Sequence, residues 1–105
     1  TCVRVPVLRA HAMALSLELD APVAPAAIRE VLAEAPGVRL VDDREGNHFP
    51  MPSDAQGQGD ALVGRIRRDL GDPSGRSVAL FLAGDQLLKG AALNAVQIAE
   101  QLLIA

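Results

Sequence analysis

The sequence predicts an α+β domain with a mixed, mainly antiparallel sheet and its helices on one face. Short segments with the period-two apolar alternation of half-buried strands recur between turn residues. Two further segments have the apolar spacing of amphipathic helices. The predicted order is two strands, a helix, a strand, a loop, two strands and a helix. That order favours hairpin pairing of neighbouring strands and a layer of helices on one side.

The first two predicted strands are residues 2–8 (CVRVPVL) and residues 13–20 (MALSLELD). The first is rich in valine, a β-branched residue whose side chain we expect to be buried here. The second alternates leucine with small or polar residues, which is typical of a half-buried strand. Pro6 cannot donate a ladder hydrogen bond, so the first strand is expected to bend there if it bends at all.

An amphipathic helix of about three turns follows these strands. It starts near Pro25, since proline is tolerated in the first helical turn, and it stops at Pro36 and Gly37. Its apolar residues recur at i, i+3, i+4 and i+7. The predicted buried face comprises Ile28, Val31, Leu32 and Ala35.

The second half of the chain begins with a short predicted strand, residues 38–41 (VRLV), and a long loop, residues 42–59. A connection of that length is usually a functional excursion or an insertion. Residues 61–69 and 77–84 then form two predicted strands. The intervening LGDPSG contains proline and glycine turn formers, so the two strands are expected to form a hairpin.

The chain closes with a predicted helix at about residues 85–104, for which Asp85 is a possible N-cap. Its wide apolar surface indicates packing on more than one side. The uncovered face of the sheet is a candidate subunit or domain interface. Because the chain starts at Thr1, directly before a predicted strand and without Met, it reads as the C-terminal part of a longer protein.

The composition narrows the class of protein. The 105 residues are half apolar, with no Trp or Tyr and a net charge of −3, which fits one domain with an aliphatic core and disfavours a nucleic-acid partner. No apolar run reaches the roughly 18 to 20 residues that cross a bilayer. Cys2 is the sole cysteine, so an internal disulfide is excluded. We expect a soluble, cytoplasmic protein with no membrane partner.

Arg4 and His11 are the first candidate site residues. A histidine is the usual acid and base near neutral pH, and a guanidinium suits a carboxylate or phosphate ligand. The alternatives are an ordinary strand-end histidine and an outward-facing strand arginine. On a straight strand the two residues would stand about 23 Å apart, so they can share a substrate only if the chain bends. Arg9 is expected to be structural or solvated.

The remaining candidates are weaker. A cysteine inside an apolar strand is usually a small buried hydrophobe, so Cys2 is not expected to be a nucleophile. His48 has no companion at metal-ligand spacing, and we predict no metal site. Asp85 and Gln86 stand at a strand-to-helix junction, where backbone amides and a side-chain amide can meet a polar ligand.

Three ordered segments resemble the aspartate-β-semialdehyde dehydrogenases: CVRVPVLRAH, VGRIRRD and GDQLLKGAALNAVQIAEQLL. What resembles the family is its C-terminal portion. On this resemblance, residues 1–105 are the C-terminal part of the catalytic and dimerisation domain, including the closing helix, and a homodimer is expected. The nucleotide-binding domain that precedes this portion in the family is absent from the chain, so the fragment alone is not expected to be active.

The resemblance implies the reduction of L-aspartyl-4-phosphate by NADPH to L-aspartate-4-semialdehyde, through a thioester on a cysteine. This reaction belongs to the biosynthesis of lysine, threonine and methionine. His11 matches the acid and base histidine, Arg4 the arginine that holds the substrate α-carboxylate, and Gln86 a position that approaches the nicotinamide carboxamide. NADP would be bound mostly by the absent N-terminal domain.

Two departures from the family pattern leave alternatives open. Ala12 and Met13 follow the histidine where the family commonly has serine and another polar residue, and the nucleophilic cysteine belongs to a segment before Thr1. The alternatives are a free-standing α+β module that dimerises or binds an amino acid, and a noncatalytic paralogue.

Overall fold

The computed structural model describes residues 1–104. Its regular elements, in chain order, are strand β1 (His11–Glu18), helix α1 (Pro25–Ala33), strand β2 (Val38–Leu40), helix α2 (Pro52–Ala55), strand β3 (Ala61–Arg68), strand β4 (Ser77–Gly84), a π-helical turn (Leu88–Ala92) and helix α3 (Leu93–Ile104). The last four predicted strands correspond to β1 to β4, and the predicted helix after Pro25 corresponds to α1.

The four strands of residues 1–104 form one sheet in the order β1-β4-β3-β2. β4 pairs antiparallel with both β1 and β3, whereas β2 pairs parallel with β3. The predicted α+β class, with a mixed and mainly antiparallel sheet, is confirmed, and so is the β3–β4 hairpin. β1 finds its partner in β4 instead of a neighbour in sequence, and it therefore lies at an outer edge of the sheet.

Helix α1 covers one face of the sheet. Ile66 and Val78 are fully buried there, and Ile28 and Leu32 of the helix pack against them. These two helical residues are one turn apart and so share a face. Val31, predicted for the same face, is 70% exposed, so the buried stripe of α1 is narrower than the sequence pattern indicated.

A second, smaller core lies on the opposite face, where Leu62 and Ala83 pack with Ala10 and Ala55. Ala55 belongs to α2, which lies inside the segment predicted to be a loop. Helix α1 thus lies on one face, as predicted, and α2 adds a single helical turn on the other. The small side chains of Ala55 and Ala83 allow α2 to approach the sheet closely.

The predicted first strand, residues 2–8, is not a strand. The Val7 amide donates to the Val5 carbonyl at 2.9 Å, which closes a three-residue turn around Pro6. Val3 and Val5 are 75% and 50% exposed, so the expectation that these valines are buried is also wrong. Valine favours extended backbone, but a strand also needs a ladder partner, and Pro6 removes one of the donors.

A β-bulge interrupts β3 between Gly64 and Arg67, where the register with β4 shifts. Arg65 in the bulge has a left-handed backbone with φ 55°. Its amide donates to Asp42 Oδ1 at 2.8 Å, and Arg29 Nε donates to Asp42 Oδ2 at 2.7 Å. The side chain of Asp42 is only 3% exposed, and it thus ties helix α1 to the bulge.

The C-terminal helix starts later than predicted. Residues 85–87 precede the π-helical turn, whose Gly90 and Ala92 amides donate to carbonyls five residues earlier, and α3 follows at Leu93. Large apolar residues of α3 remain more than half exposed within the described residues: Val96, Ile98, Leu102, Leu103 and Ile104. No helix among residues 1–104 is both long and apolar enough to cross a membrane.

Candidate active site

A cavity of about 940 Å³ runs along the outer edge of β1, between that strand and the opening segment, residues 1–10. Arg4, His11 and Gln86, the three site residues predicted from the sequence, all line it. Phe81 of β4 and Pro52 of α2 also contribute to its wall. The structure thus brings together side chains from separate parts of the chain around one cavity.

Two backbone bends bring Arg4 to the same cavity as His11. The first is the turn around Pro6, the position at which the sequence favoured a bend. The second is Ala10, whose φ of 69° lies in the left-handed region. A non-glycine residue in this region costs roughly 1 kcal/mol or more. Ala10 is 5% exposed, so its surroundings hold this conformation directly before His11.

Asp85 is the buried polar residue beside the cavity. It is 0% exposed, and its carboxylate forms an ion pair with Arg9 Nη2 at 2.8 Å. The amides of Gly57 and Leu87 donate to it at 2.7 Å and 2.9 Å, and the Leu88 amide does so at 3.3 Å. The bonds from Leu87 and Leu88 fit the expected role of Asp85 as a cap for the helical segment that follows.

The charge of Asp85 is maintained in spite of its burial. Desolvation by itself would raise the pKa of this carboxyl, but the hydrogen bonds from the Gly57 and Leu87 amides and the Arg9 guanidinium outweigh it. The net effect lowers the pKa of Asp85 below its usual value. Asp85 is therefore an anion at neutral pH, and Arg9 is its countercharge.

The pairing of Arg9 with Asp85 was not predicted. Arg9 was expected to be structural or solvated, and its side chain is 35% exposed. The sequence did contain a signal, because both residues interrupt or end apolar segments, and a buried charge requires a partner. The sequence around Arg9 and around Asp85 did not indicate that these two residues would pair with each other.

Gln86 is exposed and lies directly after the buried Asp85, at the junction between β4 and the π-helical turn. Its side chain has both a carbonyl acceptor and an NH₂ donor, so it is able to bond reciprocally to another carboxamide. A nicotinamide carboxamide offers the complementary pair of groups. Gln86 lines the cavity, and its role as a cofactor contact stays a prediction.

The other candidates lie elsewhere. Cys2 is an exposed free thiol, so the expectation that it is a small buried hydrophobe is wrong, and it is not among the residues that line the cavity. His48 contacts Asp54 at 2.9 Å, and both residues line a different cleft. Within residues 1–104 there is no group of three or more His, Cys, Asp or Glu side chains that could hold a metal ion.

The match to a family model identifies the class of protein. Residues 1–89 match the semialdehyde dehydrogenase dimerisation domain. Because this match covers most of the chain, the chain belongs to that family. The matched region includes Arg4, His11 and Gln86.

The individual relatives are aspartate-semialdehyde dehydrogenases. The chain is 58% identical to the enzyme of Synechocystis sp. over 103 residues, which are 98% of this chain and 30% of the relative. It is 50% identical to that of Mycolicibacterium smegmatis over 102 residues, 97% of this chain and 28% of the relative. The chain therefore spans about 30% of the length of the curated relatives it matches.

Solved structures show the same similarity. Aspartate semialdehyde dehydrogenase II of Vibrio cholerae, crystallised in complex with ASA, superposes with a TM-score of 0.86 at 40% identity over 98% of this chain and 30% of that one. The enzyme of Francisella tularensis gives a TM-score of 0.75 at 29% identity, over 90% of this chain and 28% of that one. The α+β fold described above is therefore that of these enzymes over the matched region.

Proposed function

We propose that this chain is the C-terminal part of an NADPH-dependent aspartate-semialdehyde dehydrogenase, which reduces L-aspartyl-4-phosphate to L-aspartate-4-semialdehyde and releases phosphate. One observation carries the proposal: in a chain of this family, Arg4, His11 and Gln86 line a single cavity. The 58% identity to the Synechocystis enzyme supports the choice of aspartate semialdehyde as the product. The reaction belongs to amino-acid biosynthesis.

Arg4 is the substrate-binding residue of this proposal. Its guanidinium presents parallel N–H donors that match the two oxygens of the substrate α-carboxylate. A bidentate contact fixes the orientation of the carboxylate as well as its position. The acyl carbon of the substrate is then held near the reacting groups. The entropy of orienting the substrate is lost when it binds, so it no longer adds to the activation free energy. A lysine could neutralise the carboxylate but could not orient it.

His11 is the proposed acid and base. The nucleophile is a cysteine supplied from outside these 105 residues, and a cysteine reacts as its thiolate. A neutral imidazole accepts the thiol proton and later returns a proton to a developing anionic oxygen or thiolate. His11 stands at the first position of β1 and is exposed to the cavity, so its ring is accessible to a group that approaches from another part of the protein.

Gln86 is the proposed cofactor contact. NADPH, when bound, supplies the hydride that reduces the acyl group. Gln86 would hold the carboxamide of the nicotinamide by reciprocal hydrogen bonds and so set which face of the ring meets the substrate. The remaining contacts to the dinucleotide belong, in this proposal, to the part of the protein outside this chain, since the relatives are much longer.

A second copy of the chain is the proposed partner. The dimerisation-domain family of the chain supports a homodimer, and the exposed apolar residues of the opening segment and of α3 provide surface for subunit and domain contacts. The cytoplasm is the proposed location, because the proposed chemistry is that of a biosynthetic enzyme.

The test uses the full-length protein that contains this chain, in the reverse direction, with aspartate semialdehyde, phosphate and NADP. We expect phosphate-dependent reduction of NADP. We also expect His11→Ala to lower kcat by about 10² to 10⁴, whereas His48→Ala, outside the cavity, leaves kcat within about twofold. Absence of NADP reduction would overturn the proposed activity, and a His11→Ala enzyme within about threefold of the wild type would overturn the role of His11.

A further inference from the structure

The buried carboxylate of Asp85 has no part in the chemistry proposed above, although it is the most enclosed ionised group beside the cavity. It is 0% exposed and accepts hydrogen bonds from three backbone amides as well as the ion pair from Arg9. A buried ion pair is a weak source of stability, because desolvation offsets most of the attraction. In some proteins a buried ion pair instead selects one arrangement of the chain.

The groups bound to Asp85 come from three segments. Arg9 lies in the opening segment, Gly57 follows α2, and Leu87 and Leu88 begin the C-terminal helical region. Each of these segments contributes a wall to the cavity or ends beside it. The Asp85 carboxylate thus holds these three segments in place relative to one another.

Two site residues lie close in sequence to the ends of this ion pair. Gln86 follows Asp85, and His11 is separated from Arg9 only by the left-handed Ala10. A residue with φ 69° and a Cβ requires surroundings that enforce it. On its two sides Ala10 is held by the Arg9 ion pair and by the β1–β4 ladder, which begins with the pairing of His11 and Gly84.

We propose that Asp85 is a positioning residue which, through Arg9 and the bend at Ala10, sets the direction in which His11 enters the cavity. The inference rests on the proposed function, in which His11 is the acid and base. Asp85 itself touches neither substrate nor cofactor. Its removal should leave the imidazole present but displaced, and displacement of a catalytic group by about 1 Å can reduce the rate by about 10²-fold.

A double-mutant cycle in the full-length enzyme distinguishes positioning from general stability. We expect Asp85→Asn to lower kcat by about 10- to 100-fold while the KM for aspartate semialdehyde stays within about threefold. In the His11→Ala background the same change should lower kcat by less than about threefold, because the group through which Asp85 acts is already gone. If Asp85→Asn acted independently of His11, its fold-loss in kcat would instead be the same in both backgrounds.

Two further variants complete the experiment. Asp42→Asn is the matched control, since Asp42 is also buried and paired with an arginine but lies at the β3 bulge. It should lower the melting temperature and leave kcat within about twofold. Arg9→Met should reduce kcat as Asp85→Asn does, and Arg9→Lys should restore most of the loss, because Arg9 gives Asp85 a single contact within the described residues, from Nη2.

Each result decides the matter. An Asp85→Asn enzyme with kcat within about twofold of the wild type, or one whose loss persists in full beside His11→Ala, overturns the inference alone. If Asp85→Asn does not fold, equal kcat values for Arg9→Met and Arg9→Lys overturn it. A His11→Ala enzyme that retains activity within about threefold overturns the proposed role of His11 first, and this inference with it.

Discussion

Gly64 lies directly against the end of β2, so close that a Cβ atom placed on it would stand 1.9 Å from the carbonyl oxygen of Val41. The same atom would stand 2.8 Å from Pro50 Cδ. The Val41 amide also donates a hydrogen bond to the Val63 carbonyl at 2.8 Å, so neither of these two segments can move away without loss of that bond. Glycine at this position is a steric requirement of the sheet.

Gly64→Ala should therefore destabilise the protein by about 3 kcal/mol, within the upper range for overpacked cores. Gly84→Ala is the control, because Gly84 is also buried, in the neighbouring strand, but a Cβ atom placed on it would meet nothing within 4 Å. We expect the control to change the free energy of unfolding by less than about 1 kcal/mol. Urea unfolding of both variants checks this, and equal stabilities would contradict the steric argument.

The lowered pKa of Asp85 predicts how stability depends on pH. Burial opposes the shift, but the Gly57 and Leu87 amides and Arg9 outweigh it, so the folded protein holds this proton less tightly than the unfolded chain does. Its contribution to stability is complete above the unfolded-state pKa of about 4 and is lost as pH falls through the lower folded-state pKa. Asp85→Asn removes that contribution.

The measurement compares the free energy of unfolding of the wild type and of Asp85→Asn between neutral and acid pH. Their difference should be constant at neutral pH and should shrink below about pH 4. Asp72→Asn should behave with the same sign, because hydrogen bonds from Ser74 and Ser77 lower the pKa of Asp72. A difference that grows as the solution becomes more acid would show that the sign of the Asp85 shift is wrong.

Arg4 is expected to act on substrate binding and orientation. Arg4→Lys keeps the charge but loses the planar fork, and we expect kcat/KM for aspartate semialdehyde to fall by about tenfold or more, with the KM for NADP unchanged. Arg39→Lys is the matched control, because Arg39 is exposed on β2 and does not line the cavity. Initial-rate kinetics of the full-length enzyme measure these constants. If Arg4→Lys changed only the KM for NADP, the assignment of Arg4 to the substrate carboxylate would be wrong.

Gln86 is expected to act on the cofactor. Gln86→Ala removes a reciprocal amide contact of two hydrogen bonds, each worth about 0.5 to 1.5 kcal/mol, so the KM for NADP should rise by about fivefold or more, while the KM for aspartate semialdehyde stays within about twofold. Gln101→Ala, at an exposed position of α3, serves as the control. If Gln86→Ala changes the substrate KM alone, the residue faces the substrate and not the cofactor.

Much of the fold could be predicted because its elements follow local patterns. The leucines of β1 alternate, and Ile28 and Leu32 recur at helical spacing. β4 is an apolar run, β3 begins with one, and turn formers separate the two strands. The four-residue helix α2 could not be predicted, since Pro52–Ala55 is too short to show any period. Residues 2–8 were wrongly predicted to be a strand, because their valine content indicates a preference for extended backbone but does not indicate whether a partner strand is present.

The candidate site was predictable only in part. Arg4, His11 and Gln86 followed from a resemblance, and the bend at Pro6 followed from its missing donor. The ion pair of Arg9 with Asp85 and the left-handed Ala10 did not, because they depend on contacts between distant segments. The sequence shows Arg9 and Asp85 as charges at apolar segments, but neither composition nor periodicity shows that the two meet.

The order β1-β4-β3-β2 also determines when the protein can fold during its synthesis. β1 is the first of these strands to leave the ribosome, but its ladder partner is the last. Its unpaired backbone must therefore stay exposed until Ser77–Gly84 has been translated, and such long-range pairing is slow. Nascent chains that stall before Ser77 would therefore present an unpaired apolar strand, which is prone to aggregation.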